Sequence, residues 1–201
     1  MKKQITAGLL ALATATVAGT AQAQTVPTSP LSLEARGGLA FPTGDLADGA
    51  DSGFTLGGSA TFNFTPQLGL YVGGTFNSFP FNDEIVAGVG DGHVNDYGLD
   101  AGLRLSFATP SLPVTPFLKG GLVYHKLDAQ FDDDLGDEGE DGDSDLSLGF
   151  EVGGGLMIPL GPRLSFTPGV SYTNYEPKFG DDSDADKVSH VRVDVGLNIR
   201  L

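Results

Sequence analysis

Cysteine and tryptophan are both absent from this chain of 201 residues. Without cysteine the chain has neither an N-terminal site for lipid acylation nor a disulfide framework, so backbone pairing and packing must hold its fold together. Basic residues are also scarce, because 11 Lys and Arg stand against 26 Asp and Glu, for a formal net charge of −15. Nucleic-acid phosphates attract Lys and Arg, so this composition argues against a nucleic-acid-binding protein.

Long apolar runs are missing as well, apart from one near the N-terminus. Lys2 and Lys3 precede a run rich in Ala and Leu, and Ala21-Gln22-Ala23 follows it. This order predicts a secretory signal peptide over residues 1–23, since the run is too short and too interrupted for a membrane-spanning helix. Loss of Lys2 and Lys3 with this peptide would change the formal charge from −15 to −17. We expect an exported chain with an N-terminal leader at 24–30 and one domain at 31–201.

The mature chain lacks a sustained helical period and contains 30 glycines in total. Its apolar residues instead recur at every second position, which is typical of β-strands with one apolar face. The predicted strands are 31–41, 53–65, 68–79, 94–107, 117–127, 145–158, 163–175 and 188–201. The register of the fifth segment is the least regular of the eight. The pattern predicts an all-β protein.

The last segment shows the alternation most clearly. One face carries aliphatic side chains, namely Val191, Val193, Val195, Leu197, Ile199 and Leu201. The other carries charged or small residues, namely His190, Arg192, Asp194, Gly196, Asn198 and Arg200. Asp194, Gly196, Ile199 and Leu201 fit a polar-x-Gly-x-x-apolar-x-apolar pattern that resembles the C-terminal insertion signal of bacterial outer-membrane barrels. A final aromatic is usual in that signal, and Leu201 departs from it; an ordinary edge strand is the alternative interpretation.

The connections between the segments alternate in length. Links after the second, fourth and sixth segments are short, whereas the others are longer and acidic, as expected for a meander across a membrane. With these features the chain resembles the small eight-stranded outer-membrane barrels of the OmpA/OmpX type. The resemblance implies an eight-stranded antiparallel up-and-down transmembrane β-barrel with short periplasmic turns and longer extracellular loops. It also implies outer-membrane lipid and the barrel assembly machinery as partners, and we expect a monomer.

The distribution of charge indicates which face meets lipid. The polar faces are mainly Ser, Thr, Gly and Asn, with fewer charges than a water-facing exterior needs, while the other faces are rich in Leu, Phe and Val. Tyr97, Tyr124 and Tyr172 lie toward the outer ends of the apolar band, where amphipathic rings suit lipid headgroups. A secreted lipocalin-like barrel, with its apolar face around a ligand, is the alternative.

An apolar exterior would place several charged residues inside the barrel. The predicted lumen network is Glu34, Arg36, Asp100, Arg104, Lys119, Glu151, Arg192, Asp194 and Arg200, with four acids against five bases. Because buried charges are costly unless they are paired, we expect interlocking salt bridges and a closed lumen. The alternative is that several of these residues are solvated at the two mouths.

Acidic residues concentrate in two of the long connections. Ten lie between Asp128 and Asp145, and five more, Glu176, Asp181, Asp182, Asp184 and Asp186, precede the last segment. The first group is Asp128, Asp132, Asp133, Asp134, Asp137, Glu138, Glu140, Asp141, Asp143 and Asp145. The spacing does not match an EF-hand, so we expect hydrated loops that bind divalent cations weakly at most.

The three histidines give little indication of catalysis. His93 lies in a Gly/Asp loop, and His125 and His190 lie near the outer ends of their segments. The sequence contains neither a Gly-x-Ser-x-Gly nor a His-Glu-x-x-His motif, and no cofactor motif. The sequence therefore predicts a non-enzymatic outer-membrane barrel, without cofactor, that acts in envelope structure or in surface interaction through its acidic loops. A small cation porin and a lipid-modifying barrel enzyme are the alternatives within the membrane.

Overall fold

A computed structural model describes residues 30–81, 92–109, 111–131, 142–177 and 187–201. These residues form nine strands and one short helix. In chain order they are β1 (Leu31–Thr43), α1 (Leu46–Gly49), β2 (Gly53–Asn63), β3 (Leu68–Pro80), β4 (Gly92–Ser106), β5 (Thr115–Phe131), β6 (Gly142–Asp143), β7 (Ser147–Pro159), β8 (Leu164–Tyr175) and β9 (Val188–Arg200). Within these residues, no helix has the length and apolarity that crossing a membrane requires.

The strands close into an antiparallel barrel. The order is β4-β3-β2-β1-β9-β8-β7-β5-β6, and a further pairing of β4 with β5 completes the circle. Eight long strands make up the wall, whereas β6 is two residues long and pairs only with the outer end of β5. Strand β9 pairs with β1 from Ser32↔Arg200 to Thr43↔Ser189. The predicted fold class, an eight-stranded up-and-down barrel, is confirmed.

The bounds of the strands differ from the predicted ones mainly at the long-loop end. Strand β5 continues to Phe131 instead of ending at residue 127, because its pairing with β4 persists as far as Gly92↔Phe131. Strand β7 starts at Ser147, and the preceding acidic stretch contributes β6 instead. Helix α1, in the connection after β1, was not predicted. A four-residue helix is too short to leave a periodic pattern.

The two faces of the wall have opposite chemistry. Large apolar side chains are exposed on the outer face of all eight long strands, for example Leu99 at 67%, Leu148 at 64% and Val195 at 51%. The register of β5 agrees with the predicted division: Leu118, Leu122 and Tyr124 point outward, and Phe117, Val123 and His125 are buried. The outer surface is therefore an apolar band, and the polar residues point into the lumen.

A small apolar core closes the lumen near the ends of the strands that carry the long connections. We call this group the apolar cap. It comprises Ala40, Ala50, Phe79, Val94, Val123, Leu127, Tyr175 and Val188, with Leu46 and Phe81 packed against it. The cap arises because the inward positions become apolar where these strands approach the long loops. This cap was not predicted from the sequence.

Candidate functional site

The charged lumen is the candidate functional site. Its side chains come from inward positions of β1, β4, β5, β7 and β9, where the alternation of the strands directs them toward the barrel axis. Glu151, Arg192 and Asp96 are each fully buried. Charges removed from water in this way are tolerated only when they are paired and hydrogen-bonded.

Glu151 is the acceptor at the middle of the lumen. Its Oε1 lies 2.9 Å from Nζ of Lys119 and accepts a hydrogen bond from the Tyr71 hydroxyl at 3.1 Å. Its Oε2 pairs with the guanidinium of Arg192 from β9. One buried carboxylate thus joins three strands that lie on different sides of the barrel.

Asp100 forms a second junction beside it. Nη2 of Arg36 donates to Asp100 Oδ2 at 3.2 Å, and the Thr75 hydroxyl donates to the same oxygen at 2.8 Å. Arg36 also donates to the Thr75 hydroxyl oxygen at 3.2 Å. These contacts connect β1, β3 and β4 across the lumen.

A histidine layer lies between these junctions and the apolar cap. His125 Nδ1 is 2.8 Å from Asp96 Oδ1, and its Nε2 is 3.0 Å from Asp100 Oδ1. Both ring nitrogens are therefore within hydrogen-bond distance of a carboxylate oxygen, so neither is left free. Nδ2 of Asn77 donates to the other oxygen of Asp96 at 3.0 Å, and His190 Nδ1 lies 3.8 Å from that oxygen.

A third ion pair lies toward the short turns. Nη1 of Arg104 donates to Glu34 Oε2 at 3.3 Å. The guanidinium carbon of Arg104 is 3.9 Å from the centroid of the Phe117 ring, which is a cation–π arrangement.

The structure brings most of the predicted lumen residues together. Seven of the nine take part in ion pairs: Glu34, Arg36, Asp100, Arg104, Lys119, Glu151 and Arg192. Asp194 and Arg104 both line a small cavity within the lumen. Arg200 lies near the end of β9, and its Nε is buried without a hydrogen-bond partner in the described part of the chain. For Arg200 the alternative, solvation at a mouth of the barrel, remains an expectation.

Sequence reasoning missed Asp96, His125 and His190 as members of this network. The available signal was the alternation of side chains along a strand. Asp96 is an even number of positions from Asp100 in β4, and His125 is an even number of positions from Lys119 in β5, so each lies on the lumen face. With Asp96 included, five acids face five Lys and Arg side chains in the lumen. The histidine layer also explains why His125 is not free to act as a base, because both of its nitrogens face carboxylates.

The remaining predicted features lie partly outside the described residues. The acidic stretches 132–141 and 178–186 are among those, so weak binding of divalent cations there stays a prediction. The described portions of the chain contain no group of three or more His, Asp or Glu side chains arranged to hold a metal ion. In the predicted insertion signal, the Leu201 amide donates to the Leu31 carbonyl at 3.1 Å and Ile199 is exposed on the outer face. Recognition of this signal by the assembly machinery also stays a prediction.

Comparison with solved structures shows that small outer-membrane proteins share this fold. Neisserial surface protein A is 21% identical, with a TM-score of 0.64 over 86% of this chain and 98% of that one. A major outer membrane protein from Thermus thermophilus is 17% identical, with a TM-score of 0.52 over 85% and 99%. OprG from Pseudomonas aeruginosa is 14% identical, with a TM-score of 0.50 over 85% and 96%. At such identities the similarity concerns the fold alone.

The comparison with curated proteins finds no match. A family profile, in contrast, matches nearly the whole chain. It is the outer membrane protein beta-barrel domain, and the match covers residues 7–200. Together with the closed eight-stranded wall, its apolar exterior and its charged lumen, this match shows that the chain belongs to the outer membrane protein beta-barrel domain family and is an outer-membrane β-barrel protein.

Proposed function

We propose that this protein is a non-enzymatic, non-conducting barrel that contributes to the structure of the outer membrane and presents acidic extracellular loops for surface interaction. The observation that carries the proposal is the filled lumen. Buried ion pairs cross it from wall to wall, and the apolar cap lies above them. An eight-stranded barrel has an interior just wide enough for side chains to fill.

The arrangement of the layers supports a closed lumen rather than a cation channel. A hydrated ion passing through would have to displace the apolar cap, where Phe79 and Ala40 are fully buried and Tyr175 is 1% exposed. It would then have to separate the buried pairs of Glu151 with Arg192 and Lys119. Breaking one buried pair typically costs about 3–5 kcal/mol, which disfavours a steady open state.

The same burial supports a non-enzymatic role. His125 and His190 are fully buried beneath the apolar cap, and His125 is bound between two carboxylates. A general base must reach the proton that it removes within hydrogen-bond distance. A lipid substrate on the outer surface does not reach these rings through the wall of paired strands.

Single-channel recording in planar lipid bilayers tests the closed lumen. We expect the folded protein to give no steady current of porin size, whereas a trimeric porin reconstituted in parallel gives one. A steady, cation-selective open current from the folded protein would contradict the proposal and would favour the small cation porin.

Surface interaction through the acidic loops needs a separate test, using a cationic protein such as cytochrome c as the probe. We expect cells that display the wild-type barrel to bind more cytochrome c than cells with the loop changes Asp132→Asn, Asp133→Asn and Asp134→Asn. Barrels carrying Glu34→Gln, a change in the lumen, serve as the control and should bind as the wild type does. Equal binding by the loop variant and the wild type would contradict a role for these carboxylates at the surface.

A further inference from the structure

A small cavity lies in the half of the lumen that faces the short turns. Three basic residues, Arg36, Arg104 and Lys119, line it together with two carboxylates, Glu34 and Asp194. The cavity has about 20 Å³ of room for the centres of water-sized particles. About 10–15 Å³ of such room holds one water molecule, so the cavity accommodates one or two particles of that size.

The guanidinium of Arg104 has one edge that the protein does not use. Its side chain is 7% exposed, its Nη1 donates to Glu34, and one face packs on the Phe117 ring. Its Nε and Nη2 are buried and have no hydrogen-bond partner among the described residues. These two nitrogens form the edge from which arginine donates two parallel hydrogen bonds to one anionic group.

A second unused donor comes from a different strand of the wall. The hydroxyl of Thr167, on β8, lines the cavity and is buried without a partner in the described part of the chain, and the residue is 3% exposed. A buried donor left without an acceptor costs about 1–3 kcal/mol. The arrangement therefore favours an acceptor bound between Arg104 and Thr167.

The charge on Arg104 indicates the kind of acceptor that its free edge favours. The lining has three cations and two carboxylates, and two of those cations pair with carboxylates outside the lining, Arg36 with Asp100 and Lys119 with Glu151. The two unused nitrogens of Arg104 belong to a permanent guanidinium cation. Hydrogen bonds from such a cation to an anion are about twice as strong as those between neutral groups, so the edge favours an anionic acceptor.

We propose that this cavity binds a monatomic anion of chloride size, with Nε and Nη2 of Arg104 as its main donors and the Thr167 hydroxyl as a further donor. The size of the cavity selects against phosphate and carboxylate ligands, which have several heavy atoms. The anion would stabilise the folded barrel, because it binds the folded state and not the unfolded chain.

Crystals of the detergent-solubilised protein grown in sodium bromide test the proposal directly. We expect an anomalous bromide peak within hydrogen-bond distance of Nε and Nη2 of Arg104. Density for water alone at that edge, without anomalous signal, would overturn the proposal.

Thermal unfolding in detergent micelles gives a second test that does not depend on crystals. At constant ionic strength, replacing sodium gluconate with sodium chloride should raise the Tm of the wild-type barrel. Thr167→Val should lose at least half of that shift, and Arg104→Lys, which keeps the charge but lacks the two-nitrogen edge, should lose most of it.

Thr173→Val is the matched control for the cavity variant. Thr173 is on the same strand, is fully buried and has an unpartnered hydroxyl among the described residues, but it does not line the cavity. It should keep the full chloride-dependent shift in Tm. Equal shifts in Thr167→Val, Arg104→Lys and Thr173→Val would overturn the proposal.

Discussion

Glu151 is the residue on which the central part of the lumen depends. Three side chains, from β3, β5 and β9, converge on its two oxygens. We expect Glu151→Gln to lower the free energy of unfolding by about 3–5 kcal/mol, because the change leaves two buried cations without their carboxylate. Guanidinium unfolding of the barrel in lipid vesicles measures this difference.

An exposed ion pair provides the control for that variant. Glu176 and Lys187 lie 3.1 Å apart, and both side chains are 63% exposed. Glu176→Gln should change the free energy of unfolding by no more than about 1 kcal/mol, since water and salt screen such pairs. Similar losses in the two variants would mean that the ion pairs of Glu151 add little to stability.

At the scale of single residues, the sequence predicted the inward charges but not their partners. The alternation of side chains alone places Arg36, Asp100 and Glu151 on the lumen face, and in the structure all three side chains are buried there. Pairing across the barrel depends on the stagger of strands that are distant in sequence. Alternation cannot supply that stagger, so the pairing of Arg36 on β1 with Asp100 on β4, two strands that are not neighbours in the wall, could not be derived from the sequence.

At the scale of elements, β4 and β5 pair through glycines at which an added side chain would overlap the neighbouring strand. A Cβ added to Gly98 would overlap the Tyr124 carbonyl oxygen and the His125 ring. We expect Gly98→Ala to destabilise the barrel by about 1–3 kcal/mol, because the overlap forces the His125 ring out of its position. Unfolding in lipid vesicles measures the effect.

Gly161, in the short turn between β7 and β8, is the control for this substitution. A Cβ at Gly161 would meet no atom within 4 Å. Gly161→Ala should therefore unfold at nearly the same denaturant concentration as the wild type. If Gly98→Ala is as stable as Gly161→Ala, the close approach of β4 and β5 is not a constraint on the fold.

Strand β9 carries the predicted insertion signal at the end of the chain. Leu201→Phe gives the pattern its usual final aromatic, so we expect purified assembly machinery in proteoliposomes to fold this variant faster than the wild type. The increase would appear as a larger fraction of heat-modifiable, folded protein in gels. Leu160→Phe, in a turn, should leave the rate unchanged; equal rates for all three proteins would argue against recognition of Leu201.

Strand order and alternation could be predicted from the sequence, whereas the outer ends of the strands could not. Alternation of side chains defines the eight long strands because one face of each meets an apolar environment. Beyond residue 127, the pairing of β5 with β4 depends on backbone hydrogen bonds, which leave little trace in side-chain type. For the same reason, the short strand β6 and helix α1 were not expected.

At the scale of the whole molecule, the barrel inverts the arrangement of a soluble protein. Every wall strand exposes Leu, Val or Phe, and the interior contains Arg192, Glu151 and His125, each fully buried. The lumen can be filled with charges because ion pairs and hydrogen bonds link side chains of β1, β3, β4, β5, β7 and β9 across it. We expect this apolar exterior to face the acyl chains of the bilayer, with the paired charges held inside.

Site-directed spin labelling shows which face of the wall meets lipid, and the absence of native cysteine makes single labels straightforward. Leu99→Cys, Leu148→Cys and Val195→Cys would carry labels on the outer wall, and Ser171→Cys, at a position that is 2% exposed, would serve as the lumen control. In lipid vesicles we expect oxygen, which concentrates in the bilayer, to relax the three outer labels more than a water-soluble nickel chelate does. Stronger relaxation by the nickel chelate at all three outer positions would contradict an outer wall that faces lipid.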